Sequence, residues 1–73
     1  DTTIRAIKQG MIRLRKGGLI TIMVYYGHDG GLEEKNDVTE FVTQLPQEKY
    51  SVLKYEYINQ QNNPPFLYII EKK

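Results

Sequence analysis

The chain has no cysteine among its 73 residues, which excludes a disulfide framework and any zinc site built on thiolates. No apolar run approaches the roughly 18 to 20 residues that cross a bilayer, and no basic stretch leads into a secretion signal. Dinucleotide-binding, phosphate-loop and nucleophile-elbow motifs are also absent. The sequence therefore predicts a cytoplasmic protein without a membrane segment and without a cofactor motif of its own.

The composition is that of an ordinary globular protein, with 40% hydrophobic and 26% charged residues. The net charge is only +1, but residues 1–16 contain five basic side chains and one acidic one, whereas residues 17–73 contain five lysines and eight carboxylates. Two interpretations of this basic segment remain open. It forms either the solvated face of a helix or a phosphate-binding patch.

Apolar spacing predicts two helices. An apolar residue at every third or fourth position from Ile4 to Leu14 indicates an amphipathic helix, capped by residues 1–3 and stopped by Gly17 and Gly18, which can adopt the left-handed conformation. A second apolar stripe covers residues 38–45, follows several acidic residues and ends at Pro46.

Three strands complete the order helix, strand, helix, strand, strand. They are predicted at Leu19–Tyr26, Tyr50–Asn59 and Phe66–Ile70. The first is almost continuously apolar, which is typical of a strand covered on both faces. We expect the last strand to run antiparallel and to lie between the other two, which leaves the first without a neighbour on its far side. Residues 1–73 are therefore predicted to be a single unit and the carboxyl-terminal part of a larger α/β sheet.

The glycine-rich loop after the first strand contains His28 and Asp29, the one adjacent pair able to act as acid and base. Ligands of open α/β sheets bind beyond the carboxyl ends of strands, which favours a functional role. The alternative is a loop held by side-chain hydrogen bonds, for which Gly27 and Gly30 supply conformational freedom. The pair has no recognised metal-ligand spacing, so no metal is predicted.

A second candidate segment precedes the last strand and consists of Asn62, Asn63, Pro64 and Pro65. Paired prolines stiffen a loop, and asparagine amides both donate and accept hydrogen bonds to a base edge. The alternative is a rigid turn without a binding role. Of the six tyrosines, only Tyr25 and Tyr26, which flank the histidine loop, are candidates for stacking on a base.

The sequence closely resembles the bacterial rRNA methylase family in three segments, Lys16–Gly31, Phe41–Pro46 and Asn62–Phe66. The run from Tyr26 to Gly31 is the most specific of them. Members of this family are class I methyltransferases that use S-adenosylmethionine. The family is also linked to modification of the tRNA wobble uridine, in which the amine of 5-aminomethyl-2-thiouridine is methylated.

The resemblance implies a Rossmann-like sheet of seven strands, of which the present three are the fifth to seventh. Most of the cofactor site would then precede Asp1, and the chain alone would be inactive. It further implies an RNA partner, either tRNA or rRNA, and a missing amino-terminal half of the sheet. The segment from Tyr26 to Asp29 would line the substrate side of the cleft, and the segment from Asn62 to Pro65 would flank it.

A different class of function is also compatible with the residues. The chain would then be a non-catalytic α/β binding or dimerisation module, whose exposed first strand pairs with a partner or with a second copy in a homodimer.

Overall fold

The fold is taken from a computed structural model that describes residues 2–73. Its elements are α1 (Thr2–Arg13), β1 (Leu19–Val24), α2 (Gly31–Thr43), β2 (Tyr50–Tyr55) and β3 (Phe66–Lys72). The predicted order of elements is confirmed. The capping role expected of Asp1 lies outside the described residues. None of the helices in residues 2–73 has the length and apolar character needed to cross a membrane.

The three strands form one sheet in the order β1, β3, β2, and β3 runs antiparallel to both neighbours. Residue 70 of β3 lies between Ile20 of β1 and Val52 of β2 in this register. The predicted insertion of the last strand between the other two is confirmed. Consequently β1 and β2 are parallel to each other, and their carboxyl ends point toward the same edge of the sheet.

The strand ends differ from the sequence prediction at the edge where the loops lie. β1 ends at Val24, which pairs with Phe66, and β2 ends at Tyr55. The two prolines before Phe66 have no N–H group to donate, so the ladder cannot continue beyond that residue. At the opposite edge β3 continues to Lys72, whose backbone N–H donates to the carbonyl of Gly18 at 3.0 Å.

Both helices cover the same face of the sheet and share its core. The buried side chains come from α1, α2, β1 and β3, namely Ile7, Met11, Val24, Val38, Val42, Phe66, Tyr68 and Ile70. Burial of an aliphatic side chain contributes about 1.5–3 kcal/mol, and Ile70 is fully buried at the centre of the sheet. This single core explains why a short chain forms two helices and a sheet.

The other face of the sheet has no helix over it in residues 2–73. Its apolar side chains include Leu19 and Met23 of β1 and Leu53 and Tyr55 of β2, all of them exposed. The expectation of a first strand covered on both faces is therefore not met within the described chain, because both helices lie on one side. This uncovered apolar surface is called the open face below.

A hydrogen bond joins the core strand to α2 and gives a testable prediction. The hydroxyl groups of Tyr68 and Thr39 lie 2.7 Å apart. Tyr68→Phe leaves Thr39 without this partner, and we expect the free energy of unfolding to fall by about 1 kcal/mol. Urea denaturation provides the measurement, with Tyr25→Phe as an exposed control. Equal stability of the two variants would contradict a structural role for this bond.

Candidate functional site

The histidine loop is a tight turn between β1 and α2. The backbone N–H of Gly31 donates to the carbonyl of His28 at 2.9 Å and closes the turn. The backbone N–H of Glu34 donates to the carbonyl of Gly30 at 3.1 Å in the first turn of α2. Gly30 has φ of 78°, a left-handed conformation that favours glycine. The turn therefore places His28 and Asp29 at the carboxyl edge of the sheet, as predicted.

His28 is exposed, and both of its ring nitrogens face backbone carbonyl oxygens. Nδ1 lies 3.0 Å from the carbonyl oxygen of Asp29, and Nε2 lies 3.2 Å from that of Tyr25. Carbonyl oxygens only accept hydrogen bonds, and neutral imidazole donates only one. A neutral ring therefore donates to one of these two carbonyl oxygens at a time, and its other nitrogen only lies near the second oxygen. Its contact with Asp29 is made to the backbone and leaves the carboxylate of that residue exposed to solvent.

The two candidate loops lie next to each other. A β-carbon placed on Gly27 would lie 3.7 Å from the β-carbon of Asn63. Asn62 and Asn63 both have positive φ, at 65° and 55°. Asparagine adopts this left-handed conformation more readily than other non-glycine residues, because its side chain can hydrogen-bond to the local backbone. Pro64 is half-buried and Pro65 exposed in the same loop.

The two tyrosines at the end of β1 have different surroundings. The ring of Tyr26 is half-buried, meets Phe66 edge to face at 5.8 Å between centroids, and has the Lys35 ammonium 4.3 Å from its own centroid. Tyr25 is 61% exposed. Of the two predicted stacking residues, only Tyr25 presents a largely free side chain.

A cleft of about 280 Å³ adjoins the histidine loop, at the carboxyl end of β1. It is lined by Thr3, Ile22, Met23, Val24, Tyr25, His28, Glu34 and Val38. The Thr3 hydroxyl donates a hydrogen bond to the Glu34 carboxylate, which joins the first turns of the two helices.

The sequence indicates Glu34 only as one of the acidic residues that precede the second apolar stripe. The signal for Glu34 was its place in the first helical turn, whereas nothing local indicates the pairing with Thr3 across 31 residues. Across residues 2–73 no three potential metal-ligating side chains form a group.

The sequence matches one protein family and a curated relative. The family described as "Putative rRNA methylase" matches residues 1–71. A curated relative, the chloroplastic tRNA (mnm(5)s(2)U34)-methyltransferase of Arabidopsis thaliana, is 34% identical over 73 residues. The match covers all of the present chain and 27% of that relative.

Solved structures match both sequence and fold. A "putative methyltransferase" from Streptococcus mutans in complex with SAH is 49% identical, with a TM-score of 0.92, over 99% of this chain. A "putative rRNA-methylase" from Clostridium thermocellum is 47% identical over 99% of this chain, with a TM-score of 0.94. The chain spans 39% of the length of each of these two structures.

Proposed function

The chain belongs to the rRNA methylase family, and from this membership we propose that it is the carboxyl-terminal part of an RNA methyltransferase that uses S-adenosylmethionine. The observation that carries the proposal is the 49% identity over 99% of this chain with a structure in complex with SAH. SAH is the product left when S-adenosylmethionine has donated its methyl group. A cytoplasmic location, where RNA substrates are available, is part of the proposal.

We favour the tRNA wobble uridine as the substrate, with rRNA as the second candidate. The tRNA proposal is supported by the curated relative, whose similarity extends over the whole of this chain. The rRNA alternative is supported by the family's description. In the tRNA case the methyl acceptor is an amine, which needs a free lone pair for attack and loses a proton when the new carbon–nitrogen bond has formed.

We propose that the described residues do not by themselves form a site for S-adenosylmethionine. The cleft beside the histidine loop, at about 280 Å³, is at the lower limit of the roughly 300–1,000 Å³ of typical ligand pockets. Its lining contains one carboxylate, Glu34, which already accepts a hydrogen bond from Thr3. Residues 1–73 are thus proposed to be one unit that requires an amino-terminal part for cofactor binding and for activity. We call the two parts together the full-length protein.

The two loops are proposed to form the substrate side of the cleft. Asp29 has an exposed carboxylate available to accept the proton from the methylated amine. The His28 ring donates a hydrogen bond to a backbone carbonyl of the loop, either that of Asp29 or that of Tyr25, and Tyr25 offers an exposed ring for a base. Gly27 lies close to Asn63, which brings the amides of the asparagine loop to the same site.

His28→Ala tests this arrangement. Removing the ring removes its hydrogen bond to the loop backbone, and we expect the rate of methyl transfer to fall by about tenfold because the loop no longer holds its geometry. The affinity for S-adenosylmethionine should change much less. Single-turnover transfer and calorimetric cofactor binding, both on the full-length protein, separate the two quantities. His28→Gln, which keeps a donor, should recover part of the rate, whereas unchanged transfer in His28→Ala would overturn the assignment.

The function itself is tested by transfer of a labelled methyl group. Full-length protein is incubated with labelled S-adenosylmethionine and either tRNA or ribosomal RNA, both taken from cells that lack the gene. Label in the wobble nucleoside of tRNA supports the favoured substrate, and label in rRNA supports the second candidate. Absence of label from both RNAs overturns the proposal.

The free outer edge of β1 keeps a non-catalytic module as the alternative. β1 pairs only with β3 in the described chain, and an unpaired edge next to an exposed apolar face is able to accept a strand from a second copy. Concentration-dependent association of the full-length protein, measured by ultracentrifugation, together with no methyl transfer, would favour this module over the enzyme.

A further inference from the structure

One end of the sheet collects basic residues from three separate segments of the chain. This basic end consists of Arg13, Arg15, Lys16, Lys49, Lys72 and Lys73. Backbone hydrogen bonds hold the segments together, from Gly17 to Lys72 at 2.6 Å and from Lys73 to Lys49 at 2.9 Å. The excess of basic residues in the sequence lies in residues 1–16 and therefore includes only the first of these segments. The folded chain thus concentrates more positive charge here than residues 1–16 carry alone.

Two of the six cations have structural partners. The Lys72 ammonium donates to the carbonyl of Leu14 at 3.0 Å, just after α1, and that of Lys73 donates to the carbonyl of Gln47 at 2.8 Å. These contacts satisfy carbonyl groups that follow the two helices. They account for the two lysines at the end of β3 and leave the other four cations to be explained.

The remaining four cations, Arg13, Arg15, Lys16 and Lys49, are exposed. In residues 2–73 the one ion pair is Lys54–Glu56, which belongs to another part of the molecule. Glu48 and Glu71 are the carboxylates in or beside the three segments, and neither forms an ion pair there. The basic end therefore has an uncompensated positive charge available to an anionic partner.

The basic end lies opposite the two candidate loops. β1 begins at Leu19, next to the basic end, and the histidine loop follows its last residue, Val24. Six strand residues span about 20 Å. A partner that reaches both regions must therefore be extended and must present negative charge along its length, as the phosphate backbone of a folded RNA does.

We infer that the basic end is a second RNA contact, which binds the phosphate backbone of the substrate about 20 Å or more from the nucleotide that is methylated. This inference rests on the proposed RNA methyltransferase function. The contact is independent of base sequence, so it positions the RNA and supplies affinity while the loops select the nucleotide.

The test compares two double variants of the full-length protein that remove the same charge. Arg15→Gln/Lys16→Gln removes two of the six cations of the basic end, outside any helix, and Arg5→Gln/Lys8→Gln removes two exposed cations of α1 nearer its start, where the Lys8 ammonium lies 5.7 Å from the centroid of the Phe41 ring. Binding of fluorescently labelled tRNA is measured between 50 and 200 mM salt. We expect the first variant to weaken binding by about tenfold at the lowest salt and to reduce the log–log salt slope by about one to two, because each lost phosphate contact removes roughly 0.7–0.9.

The outcomes separate this inference from the proposed function. A larger loss in Arg15→Gln/Lys16→Gln than in the control, with thermal stability unchanged, supports the inference. Equal effects of the two variants, or wild-type RNA affinity in Arg15→Gln/Lys16→Gln, overturn the inference. The proposed function is unaffected by that result as long as the wild type transfers methyl groups. Wild-type protein that neither binds nor methylates RNA overturns both proposals. Binding to vesicles of anionic phospholipid in place of tRNA also overturns the inference.

Discussion

Met23→Lys is expected to lower the free energy of unfolding of the full-length protein by about 3–5 kcal/mol, the range found when a buried charge is left without a partner. Met23 lies on the open face, where it is 49% exposed in the described chain. The proposed amino-terminal part must cover this face, since a sheet normally buries its apolar surface against another layer. A lysine at this position would then lose its hydration without gaining a carboxylate.

Ile12→Lys is the matched control for this prediction. Ile12 lies on α1, away from the open face, and is 74% exposed. A lysine there remains in water, so the expected change is within about 0.5 kcal/mol. Urea denaturation of both full-length variants measures the difference. If Met23→Lys proved as mild as Ile12→Lys, the open face would be a solvent-exposed surface, and the proposed covering by an amino-terminal part would be wrong.

The topology was predictable because each element carries its own local signal. The apolar stripes from Ile4 to Leu14 and over residues 38–45 have helical spacing, and the connection between the first two strands permits one handedness. The short polar connection before Phe66 allows only an antiparallel return. These rules act on neighbouring stretches of the chain, and the structure has the strand order that they predict.

The ends of the strands and the partners of the side chains were harder to predict from the sequence, because they depend on residues that are distant in the chain. Residues 25 and 26 favour extended backbone, but the positions that would face them on the last strand are Pro65 and Pro64, which have no N–H group to donate. The ring nitrogens of His28 face backbone carbonyls, which no residue pattern reveals. The basic end likewise forms only when β3 brings Lys72 beside Gly17.

Gly31→Ala is the second variant for which we expect a large effect, a loss of about 3 kcal/mol in the free energy of unfolding. A β-carbon on this residue would lie 2.7 Å from the α-carbon of Tyr26 and 2.9 Å from its carbonyl carbon and oxygen. Backbone atoms cannot rotate away as a side chain does. The start of α2 would have to move away from the end of β1, and this movement would displace the turn that contains His28.

The expected defect concerns both stability and function, because α2 and the histidine loop are joined at this glycine. Gly27→Ala is the control: its β-carbon would meet Asn63 at 3.7 Å, an ordinary van der Waals distance, so its stability should stay within about 1 kcal/mol of the wild type. Thermal unfolding of the full-length protein compares the two. A stable Gly31→Ala variant would mean that α2 tolerates displacement from Tyr26. The close contact would then be unnecessary for holding the loop, and the geometry assigned to His28 and Asp29 would have to depend on the imidazole contacts alone.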